Sequence, residues 1–184
     1  TSFANDANAA AYGEFWVGAA RGCRSMVLFT LGTGVGGGII IDNRIIEGEH
    51  SHGGELGHLR IALPEQGRLC GCGARGCLEA HASATAVVRR TREALAAWRG
   101  PTRLRDYYTA TDAELTTRVI FDLAESGDAL ALQIVDETAY YLALGATAVI
   151  AVVDPEMIVF GGGMAEAGEG FRARIDAYVR RFGL

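Results

Sequence analysis

The apolar positions of the chain predict short buried strands separated by longer helices. Two early runs, residues 26–31 and 38–41, have the length of strands, and a third such run occupies residues 157–160. Asp42 and Asn43 follow the second run directly and form a turn signal, so they predict a hairpin. We therefore expect the first strands to be antiparallel neighbours joined by glycine turns.

Five longer segments are typical of helices: residues 8–16, 83–98, 112–124, 128–152 and 170–182. Ser83 is a good N-cap for the second helix, and Asp112 and Asp128 favour the starts of the third and fourth. The most apolar stretch, residues 140–153, is too short to span a bilayer, and we expect it to be a buried helix. Strands interleaved with helices predict an α/β fold.

Composition narrows the class of protein. The 184 residues are 49% hydrophobic and 21% charged, which is ordinary for a folded globular chain with one domain or one and a half. The net charge of −5 argues against a nucleic-acid-binding surface. The chain starts at Thr1 and runs directly into Asn5 and Asp6, without a secretory signal. We therefore expect an intracellular, cytoplasmic protein with no nucleic-acid partner and no membrane partner.

The 25 glycines are clustered, notably in residues 32–38 and 161–163. Clustered glycine marks places where the backbone must turn left-handed or approach a ligand closely. The first cluster formally matches G-x-G-x-x-G, but a strand follows it instead of the helix that dinucleotide binding requires. The protein-kinase version also needs H-R-D and D-F-G segments, and the chain has neither. The cluster is therefore either a tight hairpin or a strand-turn-strand loop whose bare amides, with the Thr33 hydroxyl, bind an anion.

Three of the four cysteines are close together, at Cys70, Cys72 and Cys77. Such a cluster indicates a metal site in a reducing compartment rather than a disulfide framework, and Cys23 is left as a lone thiol. Zinc takes four nitrogen or sulfur ligands in a tetrahedron, and the flanking glycines allow the backbone to direct all three sulfurs inward. Four protein ligands leave no open position for water, so we expect a structural zinc and not a zinc-dependent hydrolase. The candidates for the fourth ligand are His50, His52 and His58.

Three acidic residues are candidates for chemistry. Asp6 opens a predicted helix, Glu55 precedes His58 by three residues, and Glu79 follows Cys77 by two. Considered singly, each is more often a helix cap or a solvated side chain than a catalyst.

In order along the chain, these segments resemble the ROK family of sugar kinases and repressors, and most of all its bacterial glucokinases. The resemblance extends from Asn5 to Gly163, nearly the whole chain, and the cysteine cluster is its most diagnostic part. The matching segments are Asn-Asp-Ala-Asn at residues 5–8, the glycine cluster at 32–38, Gly-Glu-Leu-Gly-His at 54–58, the cysteine cluster with its Leu-Glu at 70–79, and Asp-Pro-Glu-Met-Ile-Val-Phe-Gly-Gly-Gly at 154–163.

The resemblance implies an actin-like, ribonuclease-H-type ATPase fold with the sugar between two lobes. Asp6 is then the base that accepts the proton of the sugar 6-hydroxyl as it attacks the γ-phosphate of ATP, with Mg²⁺ as the counterion. The other implied contacts are Asn5, Glu55, His58 and Glu79 to the sugar hydroxyls, Gly32, Thr33 and Gly34 to phosphate, and Gly161, Gly162 and Gly163 beside the adenosine. The implied zinc ligands are His58, Cys70, Cys72 and Cys77. Members of the family often form dimers or tetramers, so we expect a homodimer or a homotetramer.

One departure from the family limits these expectations. Its members carry an N-terminal lobe with a D-x-G-G-T phosphate loop, which the chain lacks, and the chain stops before their usual C-terminal end. We expect residues 1–184 to be a C-terminal lobe that lacks full kinase activity alone.

The leading function is ATP-dependent phosphorylation of a hexose, with glucose ahead of fructose and N-acetylmannosamine. The alternative is the sugar-responsive part of a transcriptional repressor. Asp6 together with an intact glycine loop favours the kinase, because a sensor needs neither.

Overall fold

A four-stranded mixed sheet lies at the centre of the structure, a computed structural model that describes residues 6–108 and 114–183. Its strands are β1 (Met26–Leu31), β2 (Val35–Ile41), β3 (Arg44–Ile45) and β4 (Met157–Gly161), in the spatial order β3-β2-β1-β4. β2 is antiparallel to both β1 and β3, whereas β4 is parallel to β1. The predicted antiparallel neighbours are therefore confirmed, and the late strand joins them on the far side of β1.

Strand β1 is buried on both faces. Met26 and Leu28 pack with Phe15 of helix α1 (Asp6–Trp16) on one face. Val27, Phe29 and Leu31 point to the opposite face and belong to the larger core of the molecule. Alternation along the strand therefore sends its side chains into two separate apolar clusters.

The larger core is covered by helices. They are α2 (Glu79–Ala82), α3 (Ala84–Ala97), α4 (Thr117–Glu125), α5 (Ala129–Val153) and α6 (Glu169–Phe182). The central member is α5, which contacts each of the other four helices of this layer. Single 3-10 turns occupy Leu56–His58, Arg103–Tyr107 and Ala165–Ala167.

Helix α5 has 25 residues and, by length and composition alone, is long and apolar enough to cross a membrane. Its most apolar 18-residue stretch has a mean hydropathy of 1.3 and is 50% buried within the protein, and a core helix can have the same length and composition. Leu142, Ala143 and Val149 lie in the core, so the prediction of a buried helix is confirmed for the inward face. The helix predicted at 128–152 is confirmed as Ala129–Val153, and the most apolar stretch, 140–153, is its C-terminal half.

Glycines in β2 allow two neighbouring segments to press on the strand. A Cβ atom at Gly38 would lie 2.6 Å from the Cβ of Ala11 in α1. On the opposite face, a Cβ at Gly37 would lie 2.4 Å from Leu56 Cγ. The predicted start of this strand at residue 38 is wrong, because the ladder with β1 already begins at Val35. Only residues 32–34 form the loop, so the later glycines of the cluster serve packing.

Side-chain caps define several helix starts as predicted. The Ser83 hydroxyl accepts from the Ala86 amide at 3.1 Å, and Asp128 accepts from the amides of Leu130 and Ala131. The third helix differs: α4 begins at Thr117 and is capped by Thr116, while Asp112 lies outside the described residues.

Candidate active site and candidate metal centre

The two glycine turns that follow β1 and β4 meet at one edge of the sheet. The parallel pairing places Thr30 beside Gly161, so the residues after each strand emerge together. Gly162 adopts a φ of +89°, and a Cβ there would lie 2.6 Å from the Leu31 carbonyl oxygen. The Met164 amide donates to the same carbonyl at 3.1 Å. The glycine turn predicted beside the adenosine is thus in close contact with the end of β1, directly before the predicted phosphate loop.

A cleft of about 520 Å³ opens at this edge and collects three carboxylates. Among its lining residues are Asp6, Thr30, Gly32, Gly34, Glu55, Glu79 and Gly162. Asp6 is the exposed first residue of α1, where the helix dipole favours a negative charge. Residues from five separate segments of the chain therefore surround one space.

Glu55 owes its position to a turn that lies tightly against β2. Gly54 has a φ of +86°, and a Cβ at Gly57 would lie 2.0 Å from the Val35 carbonyl oxygen. The turn Leu56–His58 follows, with Leu56 buried and with Glu55 and His58 exposed at its two ends. The glycines of the Gly-Glu-Leu-Gly-His segment thus pack against β2, and its two polar side chains are exposed.

Glu79 connects the cleft to the cysteine cluster. It is the half-buried first residue of α2, and its Oε2 accepts from the Val35 amide at 3.1 Å. The same oxygen lies 2.5 Å from where a Cβ of Gly34 would be. Its other oxygen, Oε1, is 3.7 Å from Cys70 Sγ. One carboxylate therefore touches both the glycine loop and a candidate metal ligand.

The loop at residues 32–34 is anchored by the start of α3. The Ala84 amide donates to the Gly32 carbonyl and the Thr85 hydroxyl to the Thr33 carbonyl, both at 2.9 Å. The Gly32 amide donates to the Gly34 carbonyl at 3.0 Å, which occupies one donor of the expected anion nest. The donors that this loop offers to a ligand are the amides of Thr33 and Gly34 and the exposed Thr33 hydroxyl.

A separate cluster of sulfur and nitrogen lies next to the cleft. One ligand atom each from His58, Cys70, Cys72 and Cys77 falls within 4.8 Å of all the others. His58 is not among the cleft-lining residues, and its Nδ1 lies 3.8 Å from Cys70 Sγ. Cys72 Sγ and Cys77 Sγ are 3.7 Å apart, well beyond a disulfide bond of about 2.05 Å.

The separations of 3.8 Å between His58 Nδ1 and Cys70 Sγ and of 3.7 Å between Cys72 Sγ and Cys77 Sγ are close to those of tetrahedral zinc. Zinc–sulfur bonds of about 2.3 Å and zinc–nitrogen bonds of about 2.0 Å give ligand separations of about 3.5 to 3.8 Å. The donor set, three sulfurs and one imidazole, is a standard one for structural zinc. Within the described residues, the cluster includes His58 and neither of the alternatives, His50 and His52.

The cysteine loop is closed by backbone pairing between its two sides. Bridges join Arg60 to Cys77 and Leu69 to Arg75. Burial raises the pKa of the Cys77 thiol to about 12, whereas the Ala74 amide lowers the pKa of the exposed Cys72. A metal at this site therefore displaces a proton from Cys77 on binding.

A buried polar network behind α2 was not predicted from the sequence. Arg90 of α3 is 4% exposed and forms an ion pair with Glu137 of α5 at 2.9 Å. His81 of α2 accepts from the Arg68 amide at 3.2 Å and packs against Tyr141, with 4.6 Å between ring centroids. The network joins three helices and supports the one that carries Glu79. The sequence does indicate that Arg90 is buried, because this residue shares a helix face with the apolar residues Ala86, Val87 and Ala94.

The ROK family model matches residues 1–182, so the chain belongs to the ROK family. The resemblance in the motifs is thereby confirmed, and so is the α/β fold of the actin-like ATPase type.

Among curated relatives, the glucokinase of Halalkalibacterium halodurans is 41% identical over 184 residues, covering 98% of this chain and 54% of its own. The glucokinase of Thermotoga maritima is 39% identical over 165 residues, covering 90% and 51%. The N-acetylmannosamine kinase of Citrobacter koseri is 36% identical over 175 residues, covering 95% and 53%. The chain spans about half the length of these relatives.

Solved structures of ROK proteins are also similar to this chain. A ROK hexokinase from Thermus thermophilus is 38% identical with a TM-score of 0.82, covering 97% of this chain and 54% of its own. A Streptomyces griseus ROK glucokinase in complex with glucose and AMPPNP is 34% identical with a TM-score of 0.84, covering 97% and 57%. A ROK transcriptional regulator, a homologue of the E. coli MLC protein, is 32% identical with a TM-score of 0.83, covering 98% and 44%.

Proposed function

We propose that this chain is the C-terminal lobe of an ATP-dependent hexose kinase that phosphorylates glucose at its 6-hydroxyl. The observation that carries the proposal is the single cleft in which Asp6, Glu55 and Glu79 face the glycine turns after β1 and β4. Phosphoryl transfer needs positioning and charge neutralisation more than covalent help, and this cleft offers both kinds of group.

Asp6 is the proposed base, because it is the exposed carboxylate at the α1 end of the cleft. It accepts the proton of the attacking hydroxyl, whose oxygen bonds to the γ-phosphorus of ATP as the bond from that phosphorus to the bridging β-phosphate oxygen breaks and ADP leaves. Glu55 and Glu79 accept hydrogen bonds from other hydroxyls of the sugar, and His58 contributes the ring nitrogen that does not face the sulfurs. Asn5, which lies outside the described residues, is proposed as a further sugar contact.

The phosphates are proposed to lie over Thr33 and Gly34, with Gly32 beneath them and Gly161, Gly162 and Gly163 beside the adenosine. ATP supplies the phosphoryl group when bound, and Mg²⁺ neutralises its negative charge. The amides of Thr33 and Gly34, together with the Thr33 hydroxyl, orient the triphosphate of ATP toward Asp6 across the cleft.

Zinc is proposed as a structural ion held by His58, Cys70, Cys72 and Cys77. The four ligands fill its shell and leave no site for an activated water, so the ion stabilises the loop and takes no part in the reaction. It also fixes which ring nitrogen of His58 remains for the sugar.

The test is a coupled assay of the complete gene product against a panel of glucose, fructose and N-acetylmannosamine. Asp6→Asn is expected to lower kcat about 10² to 10⁴-fold while glucose binding, measured by calorimetry, persists. Asp106→Asn is the matched control, because it neutralises an exposed acid in the remote turn Arg103–Tyr107. Retention of most of the activity by Asp6→Asn would remove the assignment of the base.

The panel also decides the substrate, since fructose and N-acetylmannosamine are the rivals within the same reaction. We expect the 184-residue polypeptide by itself to fall short of full glucose phosphorylation, and normal turnover by it contradicts this part of the proposal. We further propose a cytoplasmic protein that forms a homodimer or homotetramer, which light scattering of the gene product tests.

The second candidate function is sugar-responsive repression, favoured by the similarity to the ROK transcriptional regulator. Here the sugar is an effector and no ATP is consumed. Sugar-sensitive binding of operator DNA without any ATP-dependent turnover would establish this function in place of the kinase.

A further inference from the structure

We propose that Arg60 is a positioning residue for the candidate metal centre, where it neutralises the charge of the zinc–thiolate group and fixes the Cys77 sulfur. The inference rests on the proposed zinc site and not on the kinase activity. Nothing in the motif pattern of the cysteine cluster includes this residue.

Backbone pairing brings Arg60 to the sulfur. The segment after His58 pairs with the segment around Cys77, through the bridge between Arg60 and Cys77. On either side of that bridge, the Ile61 amide donates to the Gly76 carbonyl and the Leu78 amide to the Leu59 carbonyl, both at 2.9 Å. The side chain of Arg60 therefore starts directly opposite the ligand that it touches.

The guanidinium of Arg60 has two acceptors. Its Nη1 donates to Cys77 Sγ at 3.0 Å and to the Arg75 carbonyl oxygen at 2.9 Å. The second bond holds the planar group in place, so the contact with sulfur does not depend on a freely moving side chain.

The charge of the site requires such a cation. Three thiolates, one neutral imidazole and Zn²⁺ sum to a net charge of about −1. The Glu79 carboxylate adds a further negative charge at 3.7 Å from Cys70 Sγ. A guanidinium at the Cys77 sulfur offsets one of these charges and donates a charge-assisted hydrogen bond to the ligand. Groups of this kind around a metal typically change its affinity by about 10 to 100-fold.

Arg75 provides a matched control. It lies in the same loop, is exposed like Arg60, and carries the same charge. Its Nη1 donates to the Gly67 carbonyl at 3.2 Å and not to a sulfur. If only the positive charge or the stability of the loop matters, substitutions of Arg60 and of Arg75 have the same effect. If the contact with the sulfur matters, only substitutions of Arg60 change the metal site.

The experiment measures zinc release from the purified gene product to a chromophoric chelator at constant pH. Arg60→Gln is expected to release zinc about tenfold faster than the wild type, and Arg75→Gln at close to the wild-type rate. Arg60→Lys, which keeps the charge but loses the planar fork, is expected to lie between them. Added salt is expected to narrow the difference between Arg60→Lys and Arg60→Gln, because an exposed charge is screened.

A second readout reports on the sulfur directly. With Co²⁺ in place of zinc, the wavelength of the thiolate-to-metal charge-transfer band is expected to differ from that of the wild type in Arg60→Gln and to match it in Arg75→Gln. If Arg60→Gln does not fold by circular dichroism, the comparison of Arg60→Lys with Arg75→Lys replaces it. Equal zinc release and equal spectra in the Arg60 and Arg75 variants overturn the inference, and a wild type that binds no zinc overturns the metal site as well.

Discussion

Replacement of His81 by glutamine should remove the part of the protein's acid sensitivity that comes from this buried imidazole. His81 is only 3% exposed, and its Nε2 accepts a hydrogen bond from the Arg68 amide. Burial, together with the positive charges of Arg68, Arg90 and Arg89, lowers its pKa from 6.5 to about 4. The imidazole is therefore neutral in the folded protein at pH values where it is protonated in the unfolded chain.

The size of the effect follows from this difference in pKa. A pKa lowered from 6.5 to about 4 corresponds to about 3.5 kcal/mol of free energy, at about 1.4 kcal/mol for each pH unit between the two values. Between pH 6.5 and about 4 the unfolded chain binds a proton that the folded protein does not, so the free energy of unfolding falls as the pH falls. The loss of stability that His81 causes on acidification is complete below about pH 4 and absent above pH 6.5.

The assay is urea unfolding of the wild type and His81→Gln at several pH values from about 7.5 to 4.5. Glutamine can still accept from the Arg68 amide but does not titrate. The difference in unfolding free energy between the two proteins is expected to change by about 2 to 3 kcal/mol across this range. His50→Gln, which changes an exposed histidine, is the control. Parallel curves for the wild type and His81→Gln would refute the reasoning.

Three other substitutions test the site and the packing around it. Cys72→Ser should release the metal, lower Tm and weaken sugar binding, and unchanged sugar affinity in a folded, zinc-free variant argues against the coupling. Gly38→Ala should cost about 1 to 3 kcal/mol of stability, measured by urea unfolding, because its methyl group meets Ala11 of α1; a cost below about 0.5 kcal/mol contradicts this contact. Glu79→Ala should raise the KM for glucose and also the KM for ATP, because alanine cannot accept the hydrogen bond that the Val35 amide donates to Glu79 Oε2 behind the glycine loop; an unchanged KM for ATP shows that the loop does not need this bond.

The fold was largely predictable where apolar runs and local turn chemistry act alone. Strand β1 was predicted at its observed bounds, and the turn after β2 was predicted from Asp42 and Asn43, whose φ angles of 48° and 64° match the turn. Ser83 and Asp128 are caps because short polar side chains satisfy free amides at helix starts. The start of β2 was missed, since glycine gives no apolar signal even where it lies inside a ladder.

The candidate site was predictable as a set of residues, and its geometry was not. Nothing in the linear order of Glu79 and Val35 indicates that a carboxylate of one accepts from the amide of the other. Likewise, the ion pair between Arg90 and Glu137 depends on how two helices pack, which a sequence pattern does not fix. Long-range contacts of this kind arise from tertiary packing, and propensity carries no information about them.

The double contact of Glu79 has a consequence for protein engineering. Its carboxylate supports the loop proposed for phosphate and borders the cysteine cluster. For the proposed kinase, we therefore expect a change made there to alter sugar preference to disturb nucleotide affinity and metal retention as well. Glu55, at the exposed end of its own turn, is then the better starting position for a library that diversifies the accepted sugar.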